Sequence, residues 1–361
     1  MLNPYQEDSR LVLTLDAGGT NFNFAAFSGG EIVGDSLNLT VQEISPSNSL
    51  EESLNAIVKG FEFLIKQFDK EPSAISFSFP GPCDYKNGVT LNEGNLPAFS
   101  GAVALGPFLS KKFNLPVYMN NDGDLYTYGE ACFGLASKSR FNSLVGITLG
   151  TGVGGGFCFN KTMLRGETSN ALEVWTTRNG IDTNTYTEEG LGKRALIRFY
   201  GDQKLTPEDL FEIAIKNKKG DSVLALKAFE KYGRVLGELI ADLITLFDAP
   251  IVLGGGVSKA YKLFTPSMLE TISSSIKGLD GSIKKRVVQN CYLIDSEESL
   301  NVNLDNDSQI KSTVIIPGTD EKVEYMKSKD LPVFIGSMNT NQATQLGAYS
   351  YALHCLDIED N

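Results

Sequence analysis

A single histidine, His354, stands in 361 residues. That removes the imidazole base of a Ser-His-Asp triad and every multi-histidine metal site. Five cysteines (Cys83, Cys132, Cys158, Cys291 and Cys355) lie far apart, odd in number and never as a CxxC pair. They read as free thiols of a reducing compartment, so a cytoplasmic location is expected and neither a disulfide frame nor a zinc knuckle is. No uncharged apolar run reaches the ~18 residues of a membrane span. The opening MLNPYQEDSR lacks the basic-then-apolar order of a signal peptide. Positive charge is in deficit, 32 Lys and Arg against 44 Asp and Glu, for a net charge of −12. A field of that sign repels phosphate polymers and anionic lipid, so neither nucleic acid nor membrane is an expected partner. A nucleotide pocket needs only local donors and stays open.

Glycine is in excess, 36 residues, about one in ten against a usual ~7 %. With 42 % hydrophobic and 21 % charged residues the chain is too apolar for disorder, and its length predicts about two domains. Residues 11–15 are a branched apolar run stopped by Asp16-Ala17-Gly18-Gly19-Thr20. A second run, Phe22 to Phe27, ends at Gly29-Gly30, which is the order strand, tight turn, strand. Leu50, Leu54, Ile57, Val58, Phe61, Leu64, Ile65 and Phe68 recur at helical spacing, predicting an amphipathic helix over 49–70. Further strands are expected at 74–79, 117–120, 144–149 and 250–253. Helices are expected from 121 to about 133, then over 207–217, 221–247 and 342–356. Residues 296–331, polar apart from Val314-Ile315-Ile316, read as a surface excursion. The class is α/β with a mixed sheet in each half.

Three glycine turns each follow a buried run: DAGGT at 16–20, GTGVGGG at 150–156 and GGG at 254–256. Glycine lets backbone N–H groups approach a ligand and form anion-binding concavities, although each turn alone also reads as a mere tight turn. Residues 150–155 match the dinucleotide fingerprint GxGxxG, with Glu167 and Glu173 about 20 residues on. That fingerprint needs a helix opening inside the loop, whereas Phe157-Cys158-Phe159 continues as strand-like sequence.

The order DAGGT (16–20), FPGPCDYKNG (79–88), NND (120–122), LGTGVGGG (149–156), IVLGGGVS (251–258) resembles the ROK family of sugar kinases and sugar-responsive repressors. These belong to the wider actin-like ATPase superfamily. The resemblance implies two actin-like, ribonuclease H-like lobes with mixed sheets flanked by helices and a cleft between them. The lobes are expected at residues 1–122 and 123–361, with the C-terminal helix packing back on the first, in a homodimer. Family repressors carry a helix-turn-helix before the first motif; about 15 residues precede it here, which points to the kinase branch.

Implied with the family are MgATP, a hexose, most simply glucose, and transfer to its 6-hydroxyl. Asp16 would hold Mg²⁺, directly or through water, while Gly18, Gly19 and Thr20 offer donors to phosphate. Gly150, Thr151 and Gly152 would form a second phosphate loop, and Gly254, Gly255 and Gly256 an adenosine loop. Asp122 matches the catalytic base; on its residue type alone it reads as a helix N-cap before a base. Asn95, Asn121, Glu167, Asn170 and Glu188 match the sugar ligands, Glu188 preferred to Glu189 by its distance from Ala195-Leu196. Asn95 by itself also reads as a turn-capping asparagine.

The chain departs from the family at one place. Many ROK proteins follow the first sugar acid with a zinc-binding His and three cysteines. Here Asn170 takes the place of the His, and no cysteine occurs between Cys158 and Cys291. The zinc site is therefore expected to be absent as a set, with the loop 176–187 held by packing and hydrogen bonds. A changed side chain at 170 also opens mannose, fructose or an N-acetylhexosamine as acceptor. A non-catalytic sugar sensor on the same scaffold is the alternative.

Overall fold

A computed structural model of the protein describes residues 4–91, 96–160, 162–305, 311–327 and 329–359. The chain forms two compact units. One comprises residues 1–138, 154–173 and 338–361, the other residues 139–153 and 174–337. The units are thus not the contiguous blocks 1–122 and 123–361 that the sequence suggested. The helix Asp122–Phe133 stays with the strands before it because the C-terminal helix Thr340–Glu359 packs along it. Glycine makes that contact possible. A side chain on Gly129 would overlap the Ala343 carbonyl, and one on Gly347 would overlap that of Leu125, so the two backbones touch directly.

The first unit is built on a five-stranded mixed sheet. Its order is Glu31–Thr40, Asn21–Ser28, Val12–Ala17, Ala74–Ser78, Val117–Asn120. The first three strands are antiparallel and the last two run parallel to Val12–Ala17. The sequence had shown the first two but not Glu31–Thr40, whose residues are mostly exposed and carry little apolar signal. Its turn was legible: Gly29 and Gly30 have φ of 64° and 75°, the double positive that a two-residue hairpin of type I′ demands. The helix Leu50–Ile65 buries Ile57, Phe61 and Leu64 on the sheet, with Phe61 edge-on to Phe24 at 5.3 Å. Register matters most for function. Asp16 lies opposite Ser78, and Ser78 opposite Asn120. Three polar residues therefore stand in a row at the carboxyl edge of three parallel strands, where open α/β sheets place ligands.

The second unit holds four parallel strands in the order Ser143–Leu149, Ile251–Gly254, Asp330–Ile335, Asn290–Ile294. The long helix Ser222–Phe247 packs against Tyr261–Ile272 through Gly233 and Gly237, where a Cβ would run into the backbone of Phe264 and Met268. The excursion carries a helix, Glu297–Asp305, and an exposed hairpin, Lys311–Ile315 with Lys322–Met326. Its last residues, however, enter the buried strand Asp330–Ile335. No described helix is long and apolar enough to cross a membrane.

Candidate active site

In the first unit the strand Val12–Ala17 delivers Asp16 to the sheet edge, half-buried. Ser78 Oγ donates to its Oδ1 at 2.6 Å and accepts from Ala17 N at 3.2 Å, which fixes the carboxylate rotamer. Burial pushes the Asp16 carboxyl up to about 6; the nearby Asp122 adds to the rise and the Ser78 hydrogen bond opposes it. Gly18 N donates to Asn21 O at 2.9 Å and so closes the turn. The open part of the turn is Gly19 and Thr20, both exposed, with clear space around Gly19.

Asp122 is the first residue of its helix, and the cap belongs to its neighbour. Asn121 is the N-cap, and its Oδ1 accepts from Gly123 N at 2.8 Å. The capping role that the sequence allowed Asp122 thus belongs to its neighbour. The Asp122 carboxylate accepts from the same Gly123 N at 2.9 Å and remains accessible to solvent. Desolvation by the surrounding protein raises its pKa, and the Gly123 hydrogen bond opposes the rise. Asn121 Nδ2 donates to Tyr85 Oη at 3.3 Å, and Tyr85 donates to Phe79 O at 2.9 Å.

Glu173 joins this group. A Cβ on Gly81 would stand 3.2 Å from Tyr85 Oη and 3.9 Å from both Asn121 Nδ2 and Glu173 Oε1. A hydroxyl, an amide and a carboxylate therefore converge over one glycine beside Asp122. Glu167 is exposed and turned to solvent, and Asn170 is exposed with its Nδ2 donating to Thr168 O at 2.6 Å, a local turn. The structure brings neither to the group, whereas Glu173 of the same segment lies in it. Leu172, with φ of 60°, marks a backbone kink just before Glu173 that turns the chain inward. Asn95 lies outside the described residues. Arg165 donates to Asn120 Oδ1 and stacks 4.7 Å over the Tyr351 ring, tying the segment to the strand Val117–Asn120 and to the C-terminal helix.

In the second unit, Gly150 N donates to Gly152 O at 3.0 Å and Lys193 N to Gly150 O at 2.9 Å. Thr151 at the loop tip is exposed. Glu188 stands directly behind the loop. Its Oε2 accepts from Val153 N at 2.9 Å, and a side chain on Gly152 would overlap it. Glu188 is thus a support of the loop by the contacts it makes. The rest of the glycine run serves another end. Gly155 and Gly156, in the first unit, lie flat against the start of the Asp122 helix, where a Cβ on Gly156 would meet Gly123 O and Thr127 Oγ1, each at 2.6 Å. Val153–Phe159 is a strand throughout, so the GxGxxG match lacks the helix that dinucleotide binding needs. Of the third turn, Gly255 is required by its φ of 91° and by the Leu149 backbone against it. Gly256 faces open space.

Among the described residues no three His, Cys, Asp or Glu side chains form a metal-holding cluster. The loop 176–187 is tied by hydrogen bonds. Thr187 N donates to Thr177 O at 2.8 Å, Asn179 N to Thr185 O at 3.0 Å, and the Thr177 and Thr187 hydroxyls meet at 2.7 Å.

The ROK family sequence profile matches residues 12–290, more than three-quarters of the chain. The chain belongs to the ROK family. The ROK protein is 28 % identical over 268 residues to an N-acetyl-D-glucosamine kinase of Aliivibrio salmonicida, covering 67 % of this chain and 83 % of that one. It is 25 % identical over 283 residues to a glucokinase of Thermotoga maritima, covering 72 % and 86 %. Among solved structures it resembles a glucokinase from Parabacteroides distasonis with a TM-score of 0.83 and 36 % identity, over 97 % of this chain and 99 % of that one. The actin-like α/β fold follows.

Proposed function

We propose that this ROK protein is an ATP-dependent hexose kinase, with glucose as its acceptor and Asp122 as its general base. It is a phosphotransferase with a sugar acceptor. The observation that carries the reading is the division of labour at 121–122, where Asn121 caps the helix and Asp122 is left as a solvent-reachable carboxylate of raised pKa. Asn121, Tyr85 and Glu173 lie beside it and supply the paired acceptors and donors that vicinal hydroxyls need. On this reading Asp122 takes the proton of the 6-hydroxyl as that oxygen bonds to the γ-phosphorus and the bond to the leaving ADP breaks. Gly19 and Thr20 of the first unit offer backbone N–H groups to phosphate oxygens, and in the second unit Thr151 and Gly152 do, the Gly150 N–H being held by Gly152 O. Gly256, with no side chain and open space above it, suits a purine lying on backbone.

Asp16 fits Mg²⁺. It is a hard oxygen ligand at a strand end, its rotamer held by Ser78 Oγ at 2.6 Å. Mg²⁺ is commonly bound through one or two carboxylates plus substrate phosphates and water rather than by a full protein cage. When bound it neutralises charge building on the transferring phosphoryl group. N-acetylglucosamine is the second candidate acceptor, supported by the kinship with N-acetylglucosamine kinases. The test is ADP release by the purified protein with MgATP and glucose, mannose, fructose or N-acetylglucosamine, one at a time. Sugar-dependent turnover supports the reading, and the highest kcat/KM names the acceptor. A thermal shift with sugar but no turnover would replace the kinase with a sensor.

A further inference from the structure

The second unit contains a cavity of about 250 Å³ that none of these roles uses. It is walled by the loop 179–185, the helices Thr187–Leu191 and Lys193–Tyr200, and the long helix Ser222–Phe247. The loop is the one whose zinc ligands the sequence lacks. Its polar lining is Asn179, Asp182, Thr185, Glu189, Arg198 and Lys231, over an apolar base that includes Val235.

The lining is prepared for a ligand. Asn179 is only 3 % exposed. Its Oδ1 is engaged by Ile181 N and Asp182 N at 2.9 and 3.0 Å, which leaves Nδ2, beside Gly190, as a buried donor at the cavity wall. Lys231 holds its ammonium 4.4 Å over the Phe199 ring and pairs with no carboxylate among the described residues. Asp182 Oδ1 accepts from Asn184 N at 3.2 Å, and its second oxygen is open. Arg198 and Glu189 pair with each other.

Two cations and two anions leave the lining without net charge. A phosphate dianion would face two carboxylates, and an organic cation would face Lys231 and Arg198; neither sign is favoured. Hydroxyl groups, which donate and accept at once, match such a lining, as do C–H faces against Val235. The volume falls below the ~300 Å³ at which drug-sized pockets begin, a size for one sugar ring. We propose that this cavity binds a neutral monosaccharide, at a site distinct from Asp122 and its neighbours.

Titration calorimetry of the full chain with D-glucose tests this, using the parent, Asp122→Asn, Glu173→Gln, Lys231→Met and Asp182→Asn. Asp182→Asn keeps an oxygen for Asn184 N, so it guards against a loss that is only misfolding. The expected result is a saturable glucose site weakened tenfold or more by both Lys231→Met and Asp182→Asn and unmoved by Asp122→Asn or Glu173→Gln. It stands whether or not the protein proves to be a kinase, because its signature does not involve the candidate active site. The proposal is overturned if no glucose site responds to Lys231 and Asp182. It is equally overturned if glucose 6-phosphate or glycine, titrated in parallel, binds there more tightly than glucose.

Discussion

Replacing Asp122 with Asn separates catalysis from helix capping, because the structure gives the cap to Asn121. The substitution keeps an oxygen for Gly123 N and removes only the charge that would take the proton. General-base catalysis contributes about 10²–10⁴ in rate, or about 2.7–5.4 kcal/mol of barrier at 1.36 kcal/mol per decade. The expected kcat is therefore lower by that factor, with KM for sugar changed little. Stability should hardly move: a first-turn carboxylate contributes about 0.3–1 kcal/mol through the helix dipole, and losing a charge near Asp16 offsets this. Asn121→Ala is the complementary variant. It removes the cap and should cost about 0.5–2 kcal/mol, visible in the folding equilibrium. The assay pairs steady-state ADP release with thermal or urea unfolding of both variants. If Asp122→Asn keeps kcat within about threefold of the parent, Asp122 is not the base. If Asp122→Asn lowers stability while Asn121→Ala does not, the cap has been assigned to the wrong residue.

Four further outcomes are expected. Glu173→Gln should raise KM for the sugar by about 10–100-fold, the equivalent of losing ~1.5–3 kcal/mol of charged hydrogen bonding, while Glu167→Gln changes nothing; equal effects would return Glu167 to the site. Asp16 has a folded pKa of about 6, raised above its unfolded value, so its contribution to stability is present below the unfolded pKa and lost as pH rises through 6. Asp16→Asn should therefore raise Tm more at pH 8 than at pH 4 when measured in chelator, and the reverse order would refute the burial account. Gly255→Ala places a Cβ against the Leu149 backbone at a φ of 91° and should destabilise by more than about 1 kcal/mol, read as a lower urea midpoint. Dialysis against a zinc chelator should leave Tm unchanged, since hydrogen bonds tie the loop 176–187; a fall of several degrees would reveal a metal.

Much of the candidate site was legible because its parts are local. Asp16, Asn121, Asp122 and the glycine turns sit where a buried apolar run stops, and a strand end followed by glycine is readable from adjacent residues. The long helix Ser222–Phe247 and the strand Val12–Ala17 were legible for the same reason, their periods being internal. Elements without such a signal were not. Glu31–Thr40 is a mostly exposed edge strand, and the parallel strands Asn290–Ile294 and Asp330–Ile335 owe their place to pairing partners remote in sequence.

By itself the sequence determined the α/β class, the order of the glycine turns, and a carboxylate following a strand at 122, since each depends on neighbours a few residues away. Tertiary structure alone decided that Asn121 rather than Asp122 caps the helix, that Glu173 rather than Glu167 stands over Gly81 with Tyr85 and Asn121, and that Glu188 braces Gly152. It also decided that Gly129 and Gly347 bring the last helix into the first unit. Each of these turns on contact between backbone segments tens to hundreds of residues apart, or on the rotamer of one side chain, and no local pattern encodes either.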